Sequence, residues 1–276
     1  MARLGPYELV ELLGSGGMGV VWSAWNVRWG HQVAVKVLKE AHRPEAVRAL
    51  HSEVRAIASL DHPGIVALYD QGVVPAGLAH LAEGSPWLAM EQCVGTLQRP
   101  SSWADARAAL VGLLEALAAA HAAGVLHLDV KPSNVLRRAD GSVALADFGI
   151  AMLRSAREAS ASDTSWGSPP YMAPERFDAR AERLLPATDL YAVGCVAFEL
   201  LHHAAPYSAR TWHEAAEAHR SAPVPVLKPR MPVPPGIGEW VSTLLQKRPG
   251  DRFQQAADAL HALEGLGEPV TGLARD

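Results

Sequence analysis

Between His127 and Gly149 stand three side chains whose oxygens suit the handling of phosphate: Asp129, Asn134 and Asp147. They lie on short loops flanking apolar runs, an arrangement that holds a metal-bound phosphate beside a hydroxyl. Asp129 can accept or orient the proton of an attacking hydroxyl, and Lys131 can neutralise charge on a moving phosphoryl group. Asn134 and Asp147 are hard oxygen ligands of the kind Mg²⁺ takes. Singly, Asp129 or Asn134 is the sort of residue that serves in turns and caps. Their joint spacing with Lys131 is what points to phosphoryl transfer.

Two further features invite a phosphate. Gly14, Gly16 and Gly19, with Val21 two residues on, form the pattern G-x-G-x-x-G-x-V. Glycines let a backbone close over an anion with no Cβ in the way and with amide groups facing it. A dinucleotide site would put such glycines between a strand and a helix, whereas a second strand follows here. Taken alone, the pattern is also that of a flexible hairpin tip. Lys36 lies inside the apolar run Val33–Leu38, where an unpaired cation is costly to bury, and Glu53 on the next segment can supply the anion. An outward-facing strand lysine is the other reading of Lys36 by itself, but the preceding glycines and following Glu53 turn the balance toward a buried pair.

The elements that must position these groups fall into two sets. Tyr7–Leu13 and Val20–Trp25 read as strands joined by a glycine-rich tip, and Val33–Leu38, Ile65–Tyr69 and Leu88–Cys93 read as further strands. Between them, Val47, Leu50, Val54, Ile57 and Leu60 recur at helical spacing, with Glu53 on the edge of that face. After Gly95 the pattern becomes helical. Ser102 and Asp105 make a capping box ahead of a helix that Gly124 stops, and Asp189–Leu201 is apolar nearly all round, as a buried helix would be. Further helices are expected near Glu239–Gln246 and Gln254–Leu263, with the proline-rich stretch Pro223–Pro235 as a loop and His202 and His203 as solvated helix-end residues. The boundary between the two sets should lie near Gln92–Thr96.

Composition narrows the class. With 276 residues, 49% hydrophobic and 20% charged, the chain can bury a substantial core. A net charge of -4 argues against a nucleic-acid or membrane-surface binder, so any phosphate site must be local. The two cysteines, Cys93 and Cys195, form no metal or disulfide spacing, and no leader or bilayer-length apolar run is apparent, so a cytoplasmic location is expected.

In sequence order these motifs resemble the eukaryotic-type (Hanks) protein kinases, over roughly residues 7–263. The resemblance is supported by Ala173-Pro174-Glu175 and by Asp189 with Gly194 in the buried helix. Met18, the run Asp61–Val66 and Tyr171-Met172 look most like bacterial serine/threonine members. It implies a bilobal α+β fold. Residues 1–94 would form a small antiparallel sheet with one main helix, and 95–276 a larger, mostly helical lobe. It further implies ATP and Mg²⁺. Leu13, Gly14, Ser15, Gly16, Gly17, Met18 and Gly19 would cover the phosphates, while Lys36 would hold the α- and β-phosphates and pair with Glu53. Val21, Ala34 and Leu136 would sandwich adenine, Met90 would be the gatekeeper, and backbone groups of Glu91 and Cys93 would contact the base. Asp129 would be the catalytic base, Lys131 would act at the γ-phosphate, Asn134 and Asp147 would bind Mg²⁺, and Glu175 would pair with Arg252. Protein substrates with Ser/Thr acceptors are implied, the chain itself included, which is compatible with a homodimer.

Two positions depart from the family pattern. Leu128 stands where most members have arginine and cannot pair with a phosphate on the activation segment, so activity is expected not to require a phosphate read through that position. Ser168 replaces the usual threonine ahead of Ala173-Pro174-Glu175 and keeps a hydroxyl. Leu128 raises one rival, a nucleotide-binding scaffold without turnover, and the Asp129 and Asn134 spacing raises another, a small-molecule phosphotransferase.

Overall fold

The computed structural model describes residues 2–16, 19–38, 54, 60–78, 80–148, 169–178 and 184–269. The chain divides into two compact units, one of Met1–Asp61 with Ile65–Val94, the other of His62–Gly64 with Gly95–Asp276.

The first unit is built on an antiparallel sheet of six strands: β1 (Arg3–Leu4), β2 (Tyr7–Gly16), β3 (Gly19–Asn26), β4 (His31–Leu38), β5 (Leu68–Val73) and β6 (Pro86–Met90), in the order β1-β2-β3-β4-β6-β5. Alternation along β4 decides which side chains meet. Val33, Val35 and Val37 point to one face, where they pack with Tyr7, Leu9, Ala24 and Trp87 in the unit's core. Ala34 and Lys36 necessarily point to the other. Trp87 meets the Tyr7 ring edge-on, with centroids 5.7 Å apart. It lies so close over β5 that a Cβ at Gly72 would fall 2.5 Å from its ring.

Every expected strand is present, but with at least one boundary shifted. Pairing runs through the glycines, Gly14 opposite Val21 and Gly16 opposite Gly19, so β2 reaches three residues further. Gly19 cannot carry a side chain, since a Cβ there would overlap the Val37 carbonyl oxygen. The strand expected at Ile65–Tyr69 is instead β5 at Leu68–Val73; Ile65 and Val66 are apolar because they are buried, not because they sit in a long ladder. The last strand ends at Met90 rather than Cys93. The helix expected around Glu53 lies outside the described residues, apart from Val54, which is buried, and Leu60, which is half-buried and in no helix.

The second unit is mainly helical: α1 (Trp103–Ala122), α2 (Pro186–His202), α3 (Trp212–Ser221), α4 (Ile237–Leu244) and α5 (Ala256–Glu264). A small sheet of β7 (Gly95–Thr96), β8 (Val135–Arg137) and β9 (Val143–Leu145) accompanies them. Ser102 Oγ accepts the Asp105 N–H at 3.2 Å to start α1, but the Asp105 carboxylate turns to the Ser101 N–H and hydroxyl, so the capping box is shifted by one residue. Gly124, just past the end, takes φ +75, a conformation that suits glycine.

The α2 helix is buried everywhere except at Pro186, Glu199 and His202, and packs against α1 and α4. Gly194 allows that close approach, because a Cβ there would come within 2.7 Å of the Leu244 Cβ. At the end of α2, His202 and His203 are half-buried rather than solvated. His202 packs on Phe198 and its Nδ1 accepts the Lys228 N–H at 3.2 Å, pinning the segment that follows. Residues 223–235 form no helix or strand, as expected of that proline-rich stretch. Among the described residues no helix is long and apolar enough to cross a membrane.

Candidate active site

His127 organises the loop that carries the catalytic candidates. It is fully buried, and its Nδ1 accepts the Asp129 N–H at 3.1 Å. The backbone N–H can only donate, so the proton of the neutral ring sits on Nε2, which donates to the Ala146 carbonyl at 2.8 Å. Ala146 in turn donates its N–H to the Asn134 carbonyl at 2.8 Å, and the Phe148 ring lies 4.5 Å from that of His127. These bonds, with Val135 paired to Leu145 across β8 and β9, tie the segment bearing Asp129 and Asn134 to the segment bearing Asp147.

On this loop the side chains meet directly. Lys131 Nζ donates to Asp129 Oδ2 at 2.8 Å, and Asn134 Nδ2 donates to the same oxygen at 3.1 Å and to the Asp129 carbonyl at 2.8 Å. Asp129 Oδ1 accepts no hydrogen bond among the described residues and is the oxygen left for an incoming hydroxyl. Asn134 has committed its amide nitrogen to Asp129, so its oxygen is turned to the opposite side. Asp147 is held at φ +64, a conformation unusual for a non-glycine residue.

Asp189 on α2 supports this loop from below. Its Oδ1 accepts the Leu128 N–H at 2.7 Å, and its Oδ2 accepts the His127 N–H and meets His121 Nε2, both at 2.8 Å. Burial works to raise its pKa, but the His121 hydrogen bond and the neighbouring imidazoles and amides outweigh it and hold the carboxyl below its ordinary range. A second buried anchor joins Glu175 to Arg252, whose guanidinium donates to both carboxylate oxygens at 2.9 Å.

Within the first unit, strand register places the remaining candidates on one face. Val21 is opposite Lys36 and Ala34 opposite Met90, so Val21, Ala34, Lys36 and Met90 share the side of the sheet away from the core. Lys36 is only 5% exposed. Gly14 and Gly16 present bare backbone, with open space where a Cβ would stand. Leu13 is exposed, Ser15 pairs with Val20, and the Glu91 N–H donates to the Ala67 carbonyl at 2.9 Å. Cys93 is half-buried and in no disulfide. Leu136, on β8 in the second unit, is half-buried and pairs with Thr96 and Ala144. Gly17, Met18 and Glu53 lie outside the described residues, as do Ser160, Ser162, Thr164, Ser165 and Ser168.

Two contributors escaped the sequence reading. His121 has no local signal, because its partner is 68 residues away. Arg176, next to Glu175, donates through Nη1 to the Leu128 carbonyl.

The protonation of His127 carries a measurable consequence. Burial lowers its pKa from the ordinary 6.5 against the opposing pull of Asp189. Buried His219 is likewise pushed down to about 4, by burial and then by Lys247. In the unfolded chain both bind a proton as pH falls through about 6.5, whereas the folded chain resists it. Stability is therefore complete above that pH and declines below it, by up to about 1.4 kcal/mol per pH unit for each histidine. The urea midpoint should fall between about pH 7 and pH 5; a level midpoint contradicts the assignment.

A carboxylate fixed by a lysine and an asparagine on one loop, braced from a buried helix, suits the handling of a phosphoryl group. The chain matches the protein kinase domain over residues 7–262, and it belongs to the protein kinase family. It is 34% identical over 96% of its length to the serine/threonine-protein kinase PknA of Mycobacterium tuberculosis, covering 63% of that protein. It is also 34% identical over its whole length to PknH of Mycobacterium bovis, covering 46% of that protein. The chain thus spans less than two thirds of these curated relatives. In fold it is similar to the PknI kinase domain of Mycobacterium tuberculosis, with a TM-score of 0.67 at 24% identity over 96% of this chain and 98% of that one. These curated relatives are mycobacterial serine/threonine-protein kinases, and the solved neighbour shares the α+β fold of the protein kinase family.

Proposed function

We propose that this chain transfers the γ-phosphoryl group of ATP, with Mg²⁺, to serine or threonine hydroxyls of proteins, itself included, with residues 1–94 and 95–276 as the lobes of one catalytic domain. The observation that carries the proposal is Asp129 Oδ2 held by Lys131 and Asn134 while Oδ1, among the described residues, is left to an acceptor hydroxyl.

The residues present fit the nucleotide and its metal. Asn134 Oδ1 and the Asp147 carboxylate are the hard oxygen donors magnesium takes, and bare backbone at Gly14 and Gly16 suits an anion. The metal, held there, supplies neutralisation of phosphate charge. Lys36 adds a cation from a nearly dry strand face, beside Val21, Ala34 and Met90, an apolar surface fit for a planar base. Asp129 accepts or orients the acceptor proton, and Lys131, 2.8 Å away, brings positive charge to the transferring group. The remaining work is positioning, with no covalent intermediate. An open depression lined by Thr96, Leu97, Lys131, Pro169, Pro170 and Tyr171 gives a polypeptide acceptor room beside that lysine. ATP chemistry places the reaction in the cytoplasm.

The test is incubation with labelled ATP and Mg²⁺ and mass spectrometry of the phosphorylated residues. Lys36→Met should lower phosphate transfer by about a hundredfold or more. Label appearing only on small molecules, or equal transfer by the variant, rejects the proposal.

A further inference from the structure

Leu128 sits at φ +62 with its side chain buried, a conformation that a branched apolar residue keeps only when its surroundings impose it. Charged groups hold both ends of its backbone. Asp189 Oδ1 accepts its N–H at 2.7 Å, and Arg176 donates to its carbonyl. That carbonyl and the Asp129 N–H belong to one peptide group, and the N–H is bound to His127 Nδ1 at 3.1 Å. The peptide entering Asp129 is therefore gripped on both sides, and releasing either grip lets the carboxylate swing.

Arg176 comes from the short 3₁₀ turn Pro174–Phe177. It lines a small cavity with Leu128, Asp129 and Asp189. Burial works to lower its pKa, while Asp129, Asp189 and Glu175, in that order, oppose the loss of its charge. One guanidinium thus answers several carboxylates around a loop whose own position 128 is leucine.

We infer that Arg176 is a positioning residue for phosphoryl transfer: it supplies from within the chain the cation that the catalytic loop lacks at position 128, and so sets the Asp129 carboxylate without an added phosphate. The inference rests on the kinase reading above and extends it to the regulation of the same site.

The experiment compares the parent with Arg176→Met, Arg176→Lys and Arg176→Gln, using Mg-ATP with dephosphorylated casein as the acceptor probe. Arg176→Met should lower kcat about tenfold or more while KM for ATP stays within about twofold, and hydrogen exchange at residues 128–130 should quicken. Lysine, keeping charge and a donor, should recover most of the lost kcat. Glutamine, keeping only a donor, should recover less, and this comparison decides the matter if the methionine variant does not fold. Replacing Ser160, Ser162, Thr164 and Ser165 together with alanine should leave kcat within about tenfold of the parent, about 1.4 kcal/mol of barrier. A parent-like kcat in Arg176→Met, a loss of kcat mirrored in KM for ATP, equal lysine and glutamine variants, or a collapse in the alanine variant overturns the inference. A parent without turnover defeats the kinase reading instead; exchange at residues 128–130 still decides the role of Arg176, and unchanged exchange overturns it.

Discussion

Asp129→Asn is expected to lower turnover on a protein acceptor by about a hundredfold to ten-thousandfold, with nucleotide affinity little changed. Lys131 Nζ and Asn134 Nδ2 both donate to Asp129 Oδ2. An asparagine must turn its own oxygen toward those donors, which leaves its NH₂ group facing the acceptor. A donor then stands where a proton acceptor is needed, and the amide cannot take the proton. Separate measurement of kcat, KM for ATP and nucleotide affinity checks this. A variant turning over like the parent would revive the reading of the chain as a nucleotide-binding scaffold without catalysis.

The largest effect on stability is expected at Arg252. Only 4% exposed, it donates to both oxygens of Glu175 and to the carbonyls of Ala187, Lys247 and Gln246 at 2.7 to 3.0 Å, with its guanidinium over the Tyr191 ring. Arg252→Ala strands a carboxylate and three carbonyls together and should cost about 3 to 5 kcal/mol. For a chain of this size, that lowers Tm by about 6 to 20 °C. Arg252→Lys should recover little, because an ammonium cannot reproduce the planar fork that fits Glu175. Thermal unfolding checks both variants, and a Tm within about 2 °C of the parent for Arg252→Ala contradicts the account.

Much of the fold was legible because local patterns report local structure. The 3.6-residue period of Trp103, Ala106, Leu110, Leu113 and Leu117 gave away α1, and the nearly continuous apolar run from Leu190 gave away α2. Helix α3 was missed although its signal was present. Thr211 Oγ accepts the Glu214 N–H at 3.1 Å, a T-x-x-E start ahead of a polar segment whose weak apolar stripe hid it. The strand placed at Ile65 was misread because burial and ladder pairing leave the same apolar signature in a short run. Gly14, Gly16 and Gly19 were read as a tip because glycine marks turns, yet all three pair in the ladder between β2 and β3, and at Gly19 the Val37 backbone comes too close for a side chain.

Within the site, residue types and spacing alone named Asp129, Lys131, Asn134 and Asp147, since hydroxyl activation and metal-phosphate handling draw on few side chains. The strand alternation of Val33–Leu38 also put Lys36 on the face opposite the valines. Folding alone decided what holds these groups still. His121 reaches Asp189 across 68 residues and Arg176 reaches Leu128 across 48, neither of them foreseen, while the Glu175–Arg252 pair, 77 residues apart, was expected from the family resemblance and is present. Periodicity and capping rules act over a few residues along the chain, whereas these contacts depend on how α2 and the 3₁₀ turn after Ala173 pack beneath the catalytic loop. The order of residues therefore stated the chemistry, and packing chose which distant charges steady it.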